Sequence, residues 1–342
     1  MQTEINEQPS VLERFLKTES DSAIHLAREI ALRDVNYVLI AARGTSDNAA
    51  RYAQYVFGAY NHLPVALATP SLYTLYAAPP QMKGALVIGI SQSGRSPDIV
   101  SVIEAGREQS RPTLAITNDP HSALARAAEW VLPLGVGEER AVAATKTYTT
   151  SLMALALLST ALANDAERRA ELDRVPELMR QTLAGVQSVL PLIERYRYIE
   201  RSAVIGRGFN YATAFEIALK IKELTRVVTE SYSSADFLHG PISVLEPGFP
   251  LILIAPSGRT LADLSDLAIE AKRRGAELIV IADDPKLLQQ AQTPLPLPPN
   301  IPEWLSPLVA VLPGQLFARQ LAVAKGFDAD RPLGLTKVTE TL

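Results

Sequence analysis

The sequence predicts an α/β protein built as two tandem doubly wound domains with parallel sheets and an internal duplication. Three observations predict it: a length that suits two domains, apolar runs alternating with helical stretches, and motifs that recur at one offset. The chain has 342 residues, and a domain takes about 100–200 of them. Apolar residues make up 47% and charged residues 20%, an ordinary globular balance. Such a chain buries a large core without staples.

Residues 1–20 read as a polar N-terminal segment. Strand-like runs follow at Tyr37–Ala42, Ala85–Ile90 and Thr113–Thr117, and again at Ala203–Ile205, Pro250–Ala255 and Glu277–Ala282. Runs such as ALVIGI and PLILIA are continuously apolar, as strands covered on both faces are. Helical stretches at Ser122–Glu129 and Leu261–Arg274 lie between strands, and Leu152–Leu162 reads as a buried helix. This alternation argues for parallel sheets with helices on both faces. The expected domains are 21–164 and 191–325, joined by a charged helical connection at 165–190 and followed by a tail at 326–342.

The halves match in register. Arg43, after the first strand, and Arg207 are 164 positions apart, and so are Ser93 and Ser257. Pro120 and Pro285, after the third strand of each set, are 165 apart. One such match between short βα units would be chance, whereas three in order indicate duplication.

Composition removes several function classes. The chain contains no cysteine, which excludes disulfides, thiolate metal sites and a cysteine nucleophile. That fits a reducing compartment, and a cytoplasmic location is expected. The net charge is −4, and the densest basic cluster, Lys272, Arg273 and Arg274, falls on a predicted helix surface; no nucleic-acid partner is expected. The opening MQTEINEQPS is not a signal peptide. No apolar run is read as reaching the ~18 residues of a membrane span, so no membrane partner is expected. No His or carboxylate pattern resembles a metal site, and neither metal nor cofactor is predicted.

Ligands of open α/β sheets bind at the carboxyl ends of the strands. After the first strand comes Arg43-Gly44-Thr45-Ser46-Asp47, and after the second Ser91-Gln92-Ser93-Gly94-Arg95-Ser96-Pro97. Both loops are rich in hydroxyls and open a helix, whose free N–H groups and partial positive charge suit a phosphate. Ser46 or Ser96 alone would be an ordinary helix cap; the two loops together point to a phosphate cradle. It is neither a P-loop nor a dinucleotide fingerprint. The second half offers only Phe209-Asn210 and Ser257-Gly258-Arg259 in the matching places.

In the stretch Tyr211–Arg226, Glu216, Lys220 and Glu223 fall on one helix face. A solvated, salt-bridged face has the same spacing. Phe215, Ile217, Leu219, Ile221 and Leu224 leave little purely polar surface, however, so some of the charges are expected to meet a cleft. His239 precedes Gly240-Pro241, which sets a turn; it is either a satisfied loop histidine or an acid/base group. Chemistry at C1–C2 of a sugar needs a carboxylate to move a proton and an acid/base to open the ring, for which histidine is suited. A lysine could assist an imine.

These motifs resemble the isomerase portion of the glutamine–fructose-6-phosphate aminotransferase family, tandem sugar-isomerase (SIS) domain proteins. The resemblance runs almost end to end: Glu4-Ile5 through Glu7-Gln8-Pro9, RGTS at 43–46, SQSGRSPD at 91–98, AVAATKTYTT at 141–150, the Glu216/Lys220/Glu223 helix, His239-Gly240-Pro241, and Leu335-Thr336-Lys337-Val338-Thr339. It implies that Thr45, Ser46, Ser91, Gln92, Ser93 and Ser96 hold a sugar phosphate, and that Val142 and Ala144 line the sugar. Glu223 would shuttle the C1–C2 proton, with Lys220 and Glu216 completing the site. His239 would open the ring from a neighbouring subunit, and Lys337 would meet the substrate carbonyl. It also implies a homodimer or larger assembly with a shared active site.

The departures are informative. The family's N-terminal glutaminase domain and its cysteine are missing, so ammonia from glutamine would need a separate glutaminase. VAAT at 142–145 and the tail GLTKVTETL look more like a stand-alone deaminase branch, a serine being usual at the Ala144 position of the synthase. Arg95 replaces an acidic residue. The leading expectation is glucosamine 6-phosphate plus water giving fructose 6-phosphate plus ammonia. The alternatives are the same fold on another phosphosugar, synthesis with free ammonia, and a non-catalytic sugar-phosphate sensor.

Overall fold

A computed structural model describes residues 1–337. They divide into two compact units. The N-terminal unit holds Ser10–Glu139, Lys146–Arg174 and Thr336–Lys337; the C-terminal unit holds Met1–Pro9, Arg140–Thr145 and Val175–Leu335. The expected N-terminal segment is helical: α1 spans Gln2–Ala31 and contributes to both units. Pro9 lacks the N–H that would pair with Ile5. The buried Gln8 side chain donates to the Ile5 carbonyl instead, at 3.1 Å.

In the N-terminal unit the elements follow as β1 (Tyr37–Ala41), α2 (Thr45–Asn61), β2 (Val65–Leu67), α3 (Ser71–Thr74), β3 (Ala85–Ser91), α4 (Pro97–Glu108), β4 (Thr113–Thr117), α5 (Ala123–Ala127), β5 (Trp130–Pro133), α6 (Lys146–Ala163) and α7 (Ala166–Leu172). All pairings are parallel, in the order β2-β1-β3-β4-β5. Every residue of β3 is buried, which explains its unbroken apolar run. Leu39, Val87, Ile103 and Leu124 form part of the core on one face of the sheet.

The C-terminal unit runs α8 (Val175–Gly185), β6 (Arg201–Gly206), α9 (Tyr211–Thr225), β7 (Val228–Ser233), α10 (Ser234–Leu238), β8 (Pro250–Ile254), α11 (Leu261–Arg273), β9 (Glu277–Ala282), α12 (Pro285–Leu288), β10 (Thr293–Pro296) and α13 (Ser306–Ala324). Its parallel sheet has the order β10-β9-β8-β6-β7, which is the order of the first sheet read from the other edge. In each sheet the chain reverses direction between the first and third strands. The loops after β1 and β3, and after β6 and β8, therefore flank a topological switch point.

One expectation is corrected. The segment Glu303–Ala324 is 22 residues long with mean hydropathy 1.3, enough by length and composition to cross a membrane. The polar residues Ser306, Gln315 and Arg319 interrupt its apolar run, which hides that length in the sequence. In the fold 78% of that window is buried, as in the core helix of a globular unit.

Helix α13 packs closely on α9. A Cβ on Gly314 would lie 2.2 Å from Ile217 Cδ1 and 2.3 Å from its Cγ1. Overpacking of this kind typically costs about 1–3 kcal/mol. Gly314→Ala is expected to lower the melting temperature, checked by thermal unfolding; an unchanged transition would show that the two helices part without cost.

Candidate functional site

The loops after β1 and β3 carry the hydroxyls expected to form a phosphate cradle. Thr45 opens α2, and the Ser46 N–H donates to the Arg43 carbonyl at 3.0 Å. In the second loop the Ser91 hydroxyl accepts from the Gly94 N–H at 3.1 Å, and the Ser93 hydroxyl from the Arg95 N–H at 3.3 Å. Ser96 occupies the N-cap position of α4 with Pro97 behind it, yet its side chain makes no capping bond. Thr45, Ser46, Gln92, Ser93 and Ser96 are all half-buried, and Ser91 is buried. The two loops are tied together by Asp98, whose buried carboxylate accepts from Arg43 Nε at 2.8 Å. Burial pushes the Asp47 carboxyl up from its ordinary range, while Arg51 and Arg43 pull against it.

Gly94 is required where it stands. Its φ is +60°, and a Cβ there would lie 2.1 Å from Ser122 Oγ, the hydroxyl that caps α5. The left-handed backbone alone costs an L-residue about 1–2 kcal/mol. Gly94→Ala is expected to lower the melting temperature. Gly58→Ala, within α2 and with open space around the new methyl, raises it or leaves it unchanged. Thermal unfolding of the pair checks the contrast; equal shifts would contradict it.

The matching loops of the C-terminal unit are already filled by acids. After β8, the Ser257 N–H donates to Asp283 Oδ1 at 2.6 Å, and the Arg259 N–H to Glu303 Oε1 at 2.9 Å. After β6, Arg207 pairs with Asp263 at 2.6 Å. Carboxylates thus stand where a phosphate would have to enter, so the hydroxyl-poor second half has its donors consumed internally.

That unit instead carries a buried charge cluster on α9. The Lys220 side chain is 1% exposed and lies 2.5 Å from Glu223 and 3.5 Å from Glu216, whose side chains are 24% and 0% exposed. The three residues sequence spacing placed on one face are brought together, as an ion-paired interior cluster rather than a solvated face. Buried charges persist only when paired. Glu223, the most accessible of the three, also lines a cavity of about 360 Å³ with Arg226, Phe327, Asp328 and Arg331. His239 is exposed at the C-terminus of α10, its main chain bonded to Asp236; among the described residues no hydrogen bond joins its ring to the cluster. Half-buried Val142 and Ala144 lie in the segment whose Ala141 N–H donates to Glu4 at 3.2 Å, and the Val142 N–H donates to the Asp330 carbonyl at 3.2 Å.

Lys337 belongs to the N-terminal unit, where its ammonium lies 3.2 Å from Glu139 Oε2. Val338 and Thr339 of the tail motif lie outside the described residues. Glu139 and Asp98 were not singled out by sequence. The only signal for Glu139 was its position just ahead of the AVAATKTYTT stretch. Among the described residues no cluster of His and acidic side chains could hold a metal ion.

The SIS domain profile matches residues 31–161 and 197–325. An aminotransferase from Methanothermobacter thermautotrophicus, named glutamine–fructose-6-phosphate aminotransferase (isomerizing), is 34% identical; the match covers 98% of this chain and 56% of that protein. The chain thus spans little more than half the length of the curated relatives it matches. A solved structure from Silicibacter pomeroyi DSS-3, described as a candidate phosphosugar isomerase, superposes with a TM-score of 0.86 at 32% identity, covering 96% of this chain and 98% of that one. The C-terminal domain of glucosamine-fructose-6-phosphate aminotransferase from Francisella tularensis superposes with a TM-score of 0.85 at 27% identity, covering 96% and 97%.

Proposed function

The chain belongs to the SIS domain family, and we propose that it is an amino sugar phosphate isomerase that converts glucosamine 6-phosphate and water to fructose 6-phosphate and ammonia. The observation that carries this reading is the buried Glu216–Lys220–Glu223 cluster with Glu223 facing a cavity. The hydroxyl-lined cradle at Thr45, Ser46, Ser91, Gln92, Ser93 and Ser96 supports phosphate recognition, and the resemblance to aminotransferase isomerase domains supports the amino sugar.

In this account His239 moves the proton between O1 and O5 that opens the ring. Glu223 takes the proton from C2 while O1 gains one from solvent, giving an enolamine, and returns it to C1, leaving at C2 an iminium whose extra proton goes back to solvent on hydrolysis. Water adds to C2 and ammonia departs, so the overall change is redox-neutral. Lys220 holds Glu223 against rotation, Glu216 balances Lys220, and Val142 and Ala144 line the sugar. Lys337 meets the carbonyl end of the open chain. The exposure of His239 supports its service to a neighbouring subunit in a homodimer or larger assembly.

The reverse reading, amination of fructose 6-phosphate with free ammonia or ammonia from a separate glutaminase, is supported by the identity to the Methanothermobacter aminotransferase. The chain itself has no cysteine to hydrolyse glutamine. A panel of glucosamine, galactosamine and fructosamine 6-phosphates tests the substrate. Turnover is expected to be fastest with glucosamine 6-phosphate; preference for either other sugar would overturn that choice.

A further inference from the structure

The Glu139 side chain is 0% exposed, and no role in the proposed chemistry has yet required it. A buried carboxylate is costly unless its lone pairs are used. Oε1 accepts the Thr147 N–H at 3.1 Å in the first turn of α6, where the helix dipole favours an anion. Oε2 accepts from Gln92 Nε2 at 2.9 Å, the Thr147 hydroxyl at 2.9 Å and Lys337 Nζ at 3.2 Å. The main chain is fixed beside it, because Lys146 Nζ donates to the Glu138 carbonyl at 2.8 Å.

We propose that Glu139 is a positioning residue that seats the Lys337 ammonium and the Gln92 amide on one helix-anchored carboxylate, and so sets the tail lysine against the phosphate-cradle loop. Capping α6 needs only one oxygen, which a serine or threonine supplies equally well. The second oxygen, held rigid by the first, gathers one donor from the loop after β3 and one from the tail. Lys337 follows α13 by more than ten residues, and its ammonium pairs with Glu139 in the N-terminal unit. The catalytic consequence rests on the proposed role of Lys337 at the substrate carbonyl, whereas the seat itself does not.

The test uses the full chain and two readouts. Limiting acetic anhydride labels accessible amines, and mass spectrometry reads acetylation of Lys337 relative to Lys17, a surface lysine 72% exposed. Glu139→Gln, which keeps an oxygen for the Thr147 N–H, is expected to raise the Lys337-to-Lys17 ratio several-fold. It should also lower kcat on glucosamine 6-phosphate by about 10²-fold, the scale of a misplacement near 1 Å, with KM changed little. In a Lys337→Met background the same substitution is expected to cost nothing further, an outcome that a merely structural role would not produce. If Glu139→Gln fails to fold, Glu139→Asp carries the labelling test, since it withdraws the charge by one methylene. An unchanged labelling ratio overturns the seat. A raised ratio with unchanged kcat upholds the seat and overturns the role of Lys337 in turnover.

Discussion

Glu223→Gln is expected to lower turnover by about 10²–10⁴-fold, the usual contribution of a positioned acid/base, while phosphosugar binding stays within a few-fold. The carboxamide matches the carboxylate in shape and still offers an oxygen to Lys220, 2.5 Å away in the native protein. What it loses is the capacity to take a proton from C2. The substitution also removes a negative charge beside the buried Lys220, which keeps Glu216 at 3.5 Å, so a modest fall in stability accompanies the kinetic loss. Steady-state kinetics with titration calorimetry on fructose 6-phosphate separates the two effects. Lys222→Gln, on the exposed side of the same helix, serves as the control with native rates. Full activity in Glu223→Gln would assign the proton to another group.

Ending the chain after Leu335 is expected to reduce turnover to background while the fold persists. Helix α13 closes at Ala324, and among the described residues every buried hydrophobic lies before the cut. The cut removes the ammonium paired with Glu139 and, in the proposed reaction, the group that meets the substrate carbonyl. Progress curves and a thermal melt measured together check this. Retained turnover would clear the tail of a catalytic part, and loss of the melting transition would show that the Lys337–Glu139 pair is structural.

The central strands were legible because burial on both faces leaves an unmistakable trace: all residues of β3 and β8 are buried, and both runs are continuously apolar. Edge strands leave none. β2 has three residues, β7 reads VTESYS, and β10 is TPLP with two prolines, which suit an edge because they donate nothing to a ladder. Helix α5 ends at Ala127, short of the expected Glu129, because the chain must already enter β5 at Trp130.

At the candidate site, local patterns were readable and distant partners were not. Glu216, Lys220 and Glu223 share a helix face, so 3.6-residue periodicity groups them. Glu139 meets Lys337 across 198 positions, and Glu303 meets Arg259 across 44. Nothing in the local sequence distinguishes such glutamates from the solvated ones around them. Only the fold shows that one binds a lysine at the tail and the other fills a would-be anion site.

The most direct measurement is ammonia release from glucosamine 6-phosphate by the purified chain, with fructose 6-phosphate detected in the same reaction. The account predicts both products in equal amounts from the native protein and neither from Glu223→Gln. Tight binding of the phosphosugar with no ammonia and no fructose 6-phosphate would contradict it, leaving a cradle that recognises the sugar phosphate without acting on it.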